Sequence, residues 1–137
     1  MSDNAAARLV RAYYDAFNDR DRVAMLDLLA DDVVHDVNQG SSEVGIEAFR
    51  IFLAHMDDCY EEQVEDLVIM TEPSGTLAAA EFFIRGRYVL TDKGLPEATG
   101  QPYRLRVGAF FEIRGGKIAR VTNYYNLEDW VRQVVQA

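Results

Sequence analysis

Apolar and polar residues alternate most regularly over residues 103–126, YRLRVGAFFEIRGGKIARVTNYYN. Leu105, Val107, Ala109, Phe111 and Ile113 fall on one side of a strand, and Arg104, Arg106, Gly108, Phe110 and Glu112 on the other. Beyond Arg114-Gly115-Gly116-Lys117, whose glycines suit a tight turn, Ala119, Val121, Asn123 and Tyr125 share one face. Arg120, Thr122, Tyr124 and Asn126 share the other. A hairpin this long needs partners to bury its apolar side.

The rest of the chain supplies them. Asp3 is placed to cap a helix ending near residue 18, with Ala6, Leu9, Val10, Tyr13 and Phe17 in a stripe at helical spacing. That stripe turns Tyr13 inward and leaves Tyr14 off it. A second helix is expected over residues 22–30, burying Val23, Leu26 and Leu29 or Ala30. A strand over 33–38 puts Val33, His35 and Val37 on one face and Val34, Asp36 and Asn38 on the other. After the loop Gln39-Gly40-Ser41-Ser42, Gly45 opens a third helix to about residue 59, with Ile46, Phe49, Leu53 and Met56 inward. Strands follow over 63–72 and 77–91, the second setting Ala78, Ala80, Phe82, Ile84 and Tyr88 opposite Glu81, Arg85 and Arg87. A turn-rich connection, 92–102, precedes the hairpin, and a short helix over 127–136 turns Leu127, Trp130, Val131 and Val134 inward. Helices lead and antiparallel strands follow, so the expected class is α+β in one domain, 1–137. A sheet that curls around helices on its concave side makes a cone-like α+β barrel enclosing a pocket, a favoured place for small ligands.

Composition narrows the partners. With 49% apolar and 27% charged residues, the chain reads as globular. Its net charge of −9 leaves no basic surface to displace phosphate counterions, so neither nucleic acid nor an anionic membrane is an expected partner. Cys59 is the sole cysteine, which rules out an internal disulfide and reads as structural. The start, MSDNAAARLV, has no apolar run of signal-peptide type, no segment suits a bilayer, and a cytoplasmic location is expected. No zinc-type spacing, phosphate loop or nucleophile elbow is present, so no metal and no cofactor are expected.

Three stretches carry a resemblance: AYYDAFNDRD, LLADDVVHDVNQG with the following GIEAFRIF, and FFEIRGGKIARVTNYYNLEDW. Through them the chain resembles the nuclear transport factor 2-like superfamily, in its SnoaL-like and ketosteroid-isomerase-like branch, over essentially its whole length. The resemblance implies the cone fold and a homodimer through the outer sheet face. That fold hosts isomerases, cyclases, hydrolases, dehydratases and binding subunits. Matched to its steroid isomerases, the oxyanion-binding tyrosine falls on Tyr13, the base on Val37 and the protonated acid on Ala109. Asp36, one residue from the base position, replaces it only if a bulge intervenes, because a one-residue slip reverses the strand face. Matched to its epoxide hydrolases, the water-activating aspartate falls on Asn123, and the arginine and aspartate of the middle strand fall near Phe82 and Ile84.

His35 shares a strand face with Val37 and has an intrinsic pKa suited to proton transfer. The candidate catalytic residues are therefore His35, Tyr13 and Asp36. The candidate ligand-binding residues are Asn123, Tyr125, Phe17, Val37, Phe82, Ala109, Phe111 and Phe49. The expected function is binding of a hydrophobic, oxygen-bearing small molecule of steroid or polyketide type, with isomerase- or cyclase-type proton transfer by His35 and Tyr13. The alternative is a non-catalytic binding or dimerisation module that has lost the family's catalytic acids.

Overall fold

The structure, a computed structural model, describes residues 4–37 and 40–136. The cap expected at Asp3, the strand end at Asn38 and the loop start at Gln39 lie outside the described residues. The elements run α1 (Ala5–Asn18), α2 (Arg22–Asp27), β1 (Leu29–Asp36), β2 (Ser42–Val44), α3 (Ile46–Cys59), β3 (Tyr60–Thr71), β4 (Leu77–Tyr88), β5 (Gln101–Arg114), β6 (Lys117–Tyr125) and α4 (Leu127–Gln136). The strands form one sheet in the order β2-β1-β6-β5-β4-β3, antiparallel except for the parallel β1–β6 pair.

The long hairpin stands at the centre, where alternation demands it. Leu105, Val107, Ala109 and Phe111 are buried on β5, as are Ala78, Ala80, Phe82, Ile84 and Tyr88 on β4. The opposite face carries cross-strand charge pairs, Arg106–Glu81 at 2.8 Å and Arg85–Glu65 at 2.7 Å, with the Arg104 guanidinium 3.8 Å over the Phe83 ring. The sheet is curved and unclosed, and the described residues form four helices beside it. A bulge contributes to that curvature: the β3 register with β4 shifts between Glu65 and Val68, where Asp66 takes a left-handed φ of 56°.

Several local expectations differ from what the chain does. Asn4 caps α1, its side chain accepting from the Ala7 N–H at 2.8 Å. Tyr14 is buried alongside Tyr13, because its ring packs 4.8 Å from Phe82 across the sheet face. The buried band of α1 is thus broader than a stripe. α2 ends at Asp27 rather than residue 30, because β6 captures the chain: the Ile118 N–H donates to Leu28 O at 2.9 Å and Leu29 pairs with Ile118. Within that shorter helix Met25 is buried and Val23 lies exposed. β2 forms where part of a loop was expected; its three residues are all exposed, so no hydrophobic pattern announces it. β3 begins at Tyr60, three residues earlier than the pattern suggested, and β4 stops at Tyr88.

Candidate functional site

Curvature of the sheet toward α1, α3 and α4 leaves a cavity of about 470 Å³. Its walls are mainly Phe17, Phe49, Phe52, Leu53, Val64, Phe82, Ile84, Leu105 and Val107. Polar groups enter this mainly apolar wall from His35, Glu62, Asn123 and the tyrosines, and from Arg22, His55, Asp57 and Asp92, a mixture that suits a small-molecule site.

His35 reaches the cavity from β1. Only 3% of it is exposed, and its ring lies 4.7 Å from Phe49 and 4.4 Å from Phe52, centroid to centroid. Its Nδ1 is buried and has no hydrogen-bond partner among the described residues. Burial lowers its pKa, against the opposing pull of the Glu43 and Asp36 charges, and keeps the ring neutral near pH 7.

Tyr13 and Tyr14 descend from α1, their rings edge to face at 5.1 Å. Burial pushes both phenols upward, so both stay protonated and keep an O–H available to donate. Arg22 of α2 forks onto Asp57 of α3, Nε to Oδ2 at 2.9 Å and Nη2 to Oδ1 at 2.5 Å, and closes this side of the cavity wall. Asn18 fixes the end of α1 to β3: its Nδ2 donates to Val64 O at 3.0 Å and its Oδ1 accepts from the Val64 N–H at 2.7 Å.

Asp36 goes elsewhere. The bulge in the β1–β6 pairing falls between Leu29 and Val34, before it, so strand alternation is intact from Val34 onward. The carboxylate accepts from Arg120 Nε at 2.7 Å, from Thr122 Oγ1 at 2.5 Å and from Ser42 Oγ at 2.5 Å. These bonds hold its pKa well below the usual carboxylate range, and it does not line the cavity. Of the other expected residues, Asn123, Tyr125, Phe17, Val37, Phe82 and Phe49 line the cavity with His35 and Tyr13. Ala109 and Phe111 do not; Ala109 is fully buried, and Phe111 stands behind the tyrosines, 5.9 Å from Tyr13 and 6.0 Å from Tyr14.

Two groups of the site lie outside the residues expected from the sequence. Glu62 of β3 lines the cavity, and the Tyr103 hydroxyl donates to its Oε2 at 2.6 Å. Burial raises its pKa, although Tyr103 and the Arg22 charge pull the other way. With the strand taken to begin at residue 63, its phase relative to Tyr60 and Val64 went unread; an acid between two inward apolar positions was the available signal. Asp92, in the connection after β4, accepts from Tyr60 Oη at 2.7 Å and lies 2.9 Å from His55 Nε2. Among the described residues, His55, Cys59 and Asp92 bring donor atoms within 4.8 Å of one another. Burial and the charges of Asp92 and Asp58 push the Cys59 thiol up and keep it protonated.

The chain belongs to the SnoaL-like domain family, whose pattern matches residues 10–121. It is similar to two solved proteins provisionally named polyketide cyclases. One, from Xanthomonas campestris pv. campestris, is 53% identical with a TM-score of 0.92, covering 95% of this chain and 96% of that one. The other, from Pseudomonas putida KT2440, is 53% identical with a TM-score of 0.94, covering 96% and 99%. An LEH-like epoxide hydrolase from M. tuberculosis shares the fold alone, at 19% identity and a TM-score of 0.76 over 96% and 90%. No protein with a curated description matches. No helix among the described residues is long and apolar enough to cross a membrane.

Proposed function

We propose that the protein binds a hydrophobic, oxygen-bearing small molecule of polyketide or steroid type in the cone cavity and moves a proton on it. The observation that carries this reading is a neutral, buried imidazole, packed between Phe49 and Phe52, in a mainly apolar cavity that also receives the Tyr13 phenol. A ligand ketone would accept a hydrogen bond from Tyr13. His35 would take a proton from the neighbouring carbon: the C–H bond breaks, an N–H bond forms, and the electron pair passes to the ketone oxygen as an enolate stabilised by Tyr13. Return of that proton to another ligand atom completes an isomerisation or cyclisation. The names of the two relatives at 53% identity agree with the cyclase form.

A phenolic steroid such as equilenin, a stable mimic of the enol, tests the reading by fluorescence titration. Wild type binds, and Tyr13→Phe weakens binding about tenfold, the loss of one hydrogen bond to a charged or strongly polar oxygen. Equal affinity of the two proteins would remove Tyr13 from the role. Binding in which His35 takes no part favours the non-catalytic alternative, and the clamp of Phe49 and Phe52 around the ring is what supports that second reading.

The outer sheet face supports a homodimer. Val68, Met70, Leu77, Phe110 and Tyr124 are all at least half exposed, and Phe110 and Tyr124 pack edge to face at 5.8 Å. Light scattering after gel filtration should give twice the chain mass for wild type and one chain mass for Phe110→Asp; a monomeric wild type refutes the dimer.

A further inference from the structure

Three strands cooperate to hold one carboxylate in the cavity wall. Glu62 of β3 pairs with Gly86 of β4, and Gly86 pairs with Tyr103 of β5, so the three residues stand in line across the sheet. A Cβ on residue 86 would meet Tyr103 Cζ at 2.3 Å; the ring lies directly across the glycine, and its hydroxyl thereby reaches Glu62 Oε2. Trp130 of α4 packs edge-on against the same ring at 5.9 Å. Glu62 Oε1 has no hydrogen-bond donor among the described residues. The charged group of α2 acting on the carboxylate, Arg22, is itself committed to Asp57 of α3.

We propose that Glu62 is a general base of the cavity, accepting a ligand proton on Oε1, and that Tyr103, seated on Gly86, is its positioning residue. The inference rests on the small-molecule reading and adds a second proton-transfer group to it. The ligand C–H or O–H bond breaks, an O–H bond forms at Oε1, and the electron pair stays on the ligand as an enolate or phenolate. Returning the proton restores the carboxylate, so no further reactant is needed. Burial raises the basicity of this group, in the direction a general base requires. His35 enters from β1, near the other end of the sheet order. With both groups lining one cavity, the proposal assigns them to separate atoms of one ligand, which favours a substrate with two oxygen functions on an apolar body.

The test is a 13C NMR pH titration of protein labelled at glutamate Cδ, with Glu62→Gln to assign the resonance, with and without equilenin. In wild type the Glu62 midpoint should lie above the ordinary glutamate value and should move when the phenol binds. Tyr103→Phe should raise it further, because the lost hydrogen bond favoured the carboxylate. Glu62→Gln should keep its fold and weaken the phenol at least about tenfold. A phenol that binds while the Glu62 midpoint and the Glu62→Gln affinity stay unchanged overturns the role of Glu62 and leaves the cavity reading standing. A phenol that fails to bind at all overturns both. A purely structural Glu62–Tyr103 pair would respond to Tyr103→Phe but ignore the ligand.

Discussion

Gly86→Ala probes how the cavity wall is built. The backbone at residue 86 is an ordinary strand, so alanine brings no strain of its own and recovers about 0.5–1 kcal/mol of chain entropy. Its Cβ, however, would stand 2.3 Å from Tyr103 Cζ and 2.5 Å from Tyr103 Cε2 and Oη, distances no carbon tolerates. The ring cannot shift sideways freely, because Trp130 packs against it. Overpacking of this kind costs about 1–3 kcal/mol. Displacing the hydroxyl also breaks its bond to Glu62, a hydrogen bond to a charged group worth about 1.5–3 kcal/mol. The net expectation is a loss of about 1.5–5.5 kcal/mol, read by urea unfolding at fixed protein concentration as a lower midpoint with an unchanged slope. In a Tyr103→Ala background the same Gly86→Ala change should be neutral within about 0.5 kcal/mol or mildly stabilising. Equal costs in the two backgrounds, or a change under about 0.5 kcal/mol in wild type, would refute the argument.

Two further predictions concern pH. His35 has its folded pKa lowered, so its contribution is complete above the unfolded value near 6.5 and is lost as pH falls through the folded pKa. Unfolding free energy should decline as pH drops below about 6.5, and His35→Gln should flatten that decline; an identical slope in the variant excludes His35 as its source. Asp36 likewise has a depressed folded pKa, from Arg120 first and then Ser42 and Thr122, so its stabilisation is present above about pH 4 and disappears on further acidification. Asp36→Asn should therefore lower stability at pH 7 and weaken the acid limb without altering equilenin affinity; a variant that loses the ligand would place Asp36 in the site after all.

Strand phase was legible wherever apolar residues alternate without interruption. The hairpin and β4 need only that pattern, and their inner faces fall where the pattern put them. Tertiary contacts that leave no periodic mark were not legible. Leu29 belongs to β1 because β6 lies parallel to it, a pairing between residues far apart in the chain. Tyr14 is buried because the curved sheet offers Phe82 as a second wall, which a single helical stripe does not reveal. In the site, alternation separated His35 from Asp36, but three missing residues at the start of β3 concealed Glu62. Gly86 inside RGRY was the remaining clue, since a glycine in mid-strand marks a close approach by something else. Here that something is the tyrosine holding the carboxylate.

Proton transfer in the cavity depends most directly on His35 being a neutral group in contact with ligand. A 13C and 15N NMR titration of His35, in wild type and in Tyr13→Phe, with and without equilenin, tests it. The expected result is a midpoint below 6.5, a neutral ring at pH 7, and resonances that shift with the ligand and shift less in the variant. A ring whose resonances ignore the bound ligand in both proteins would contradict it and leave His35 as a packed element of the core.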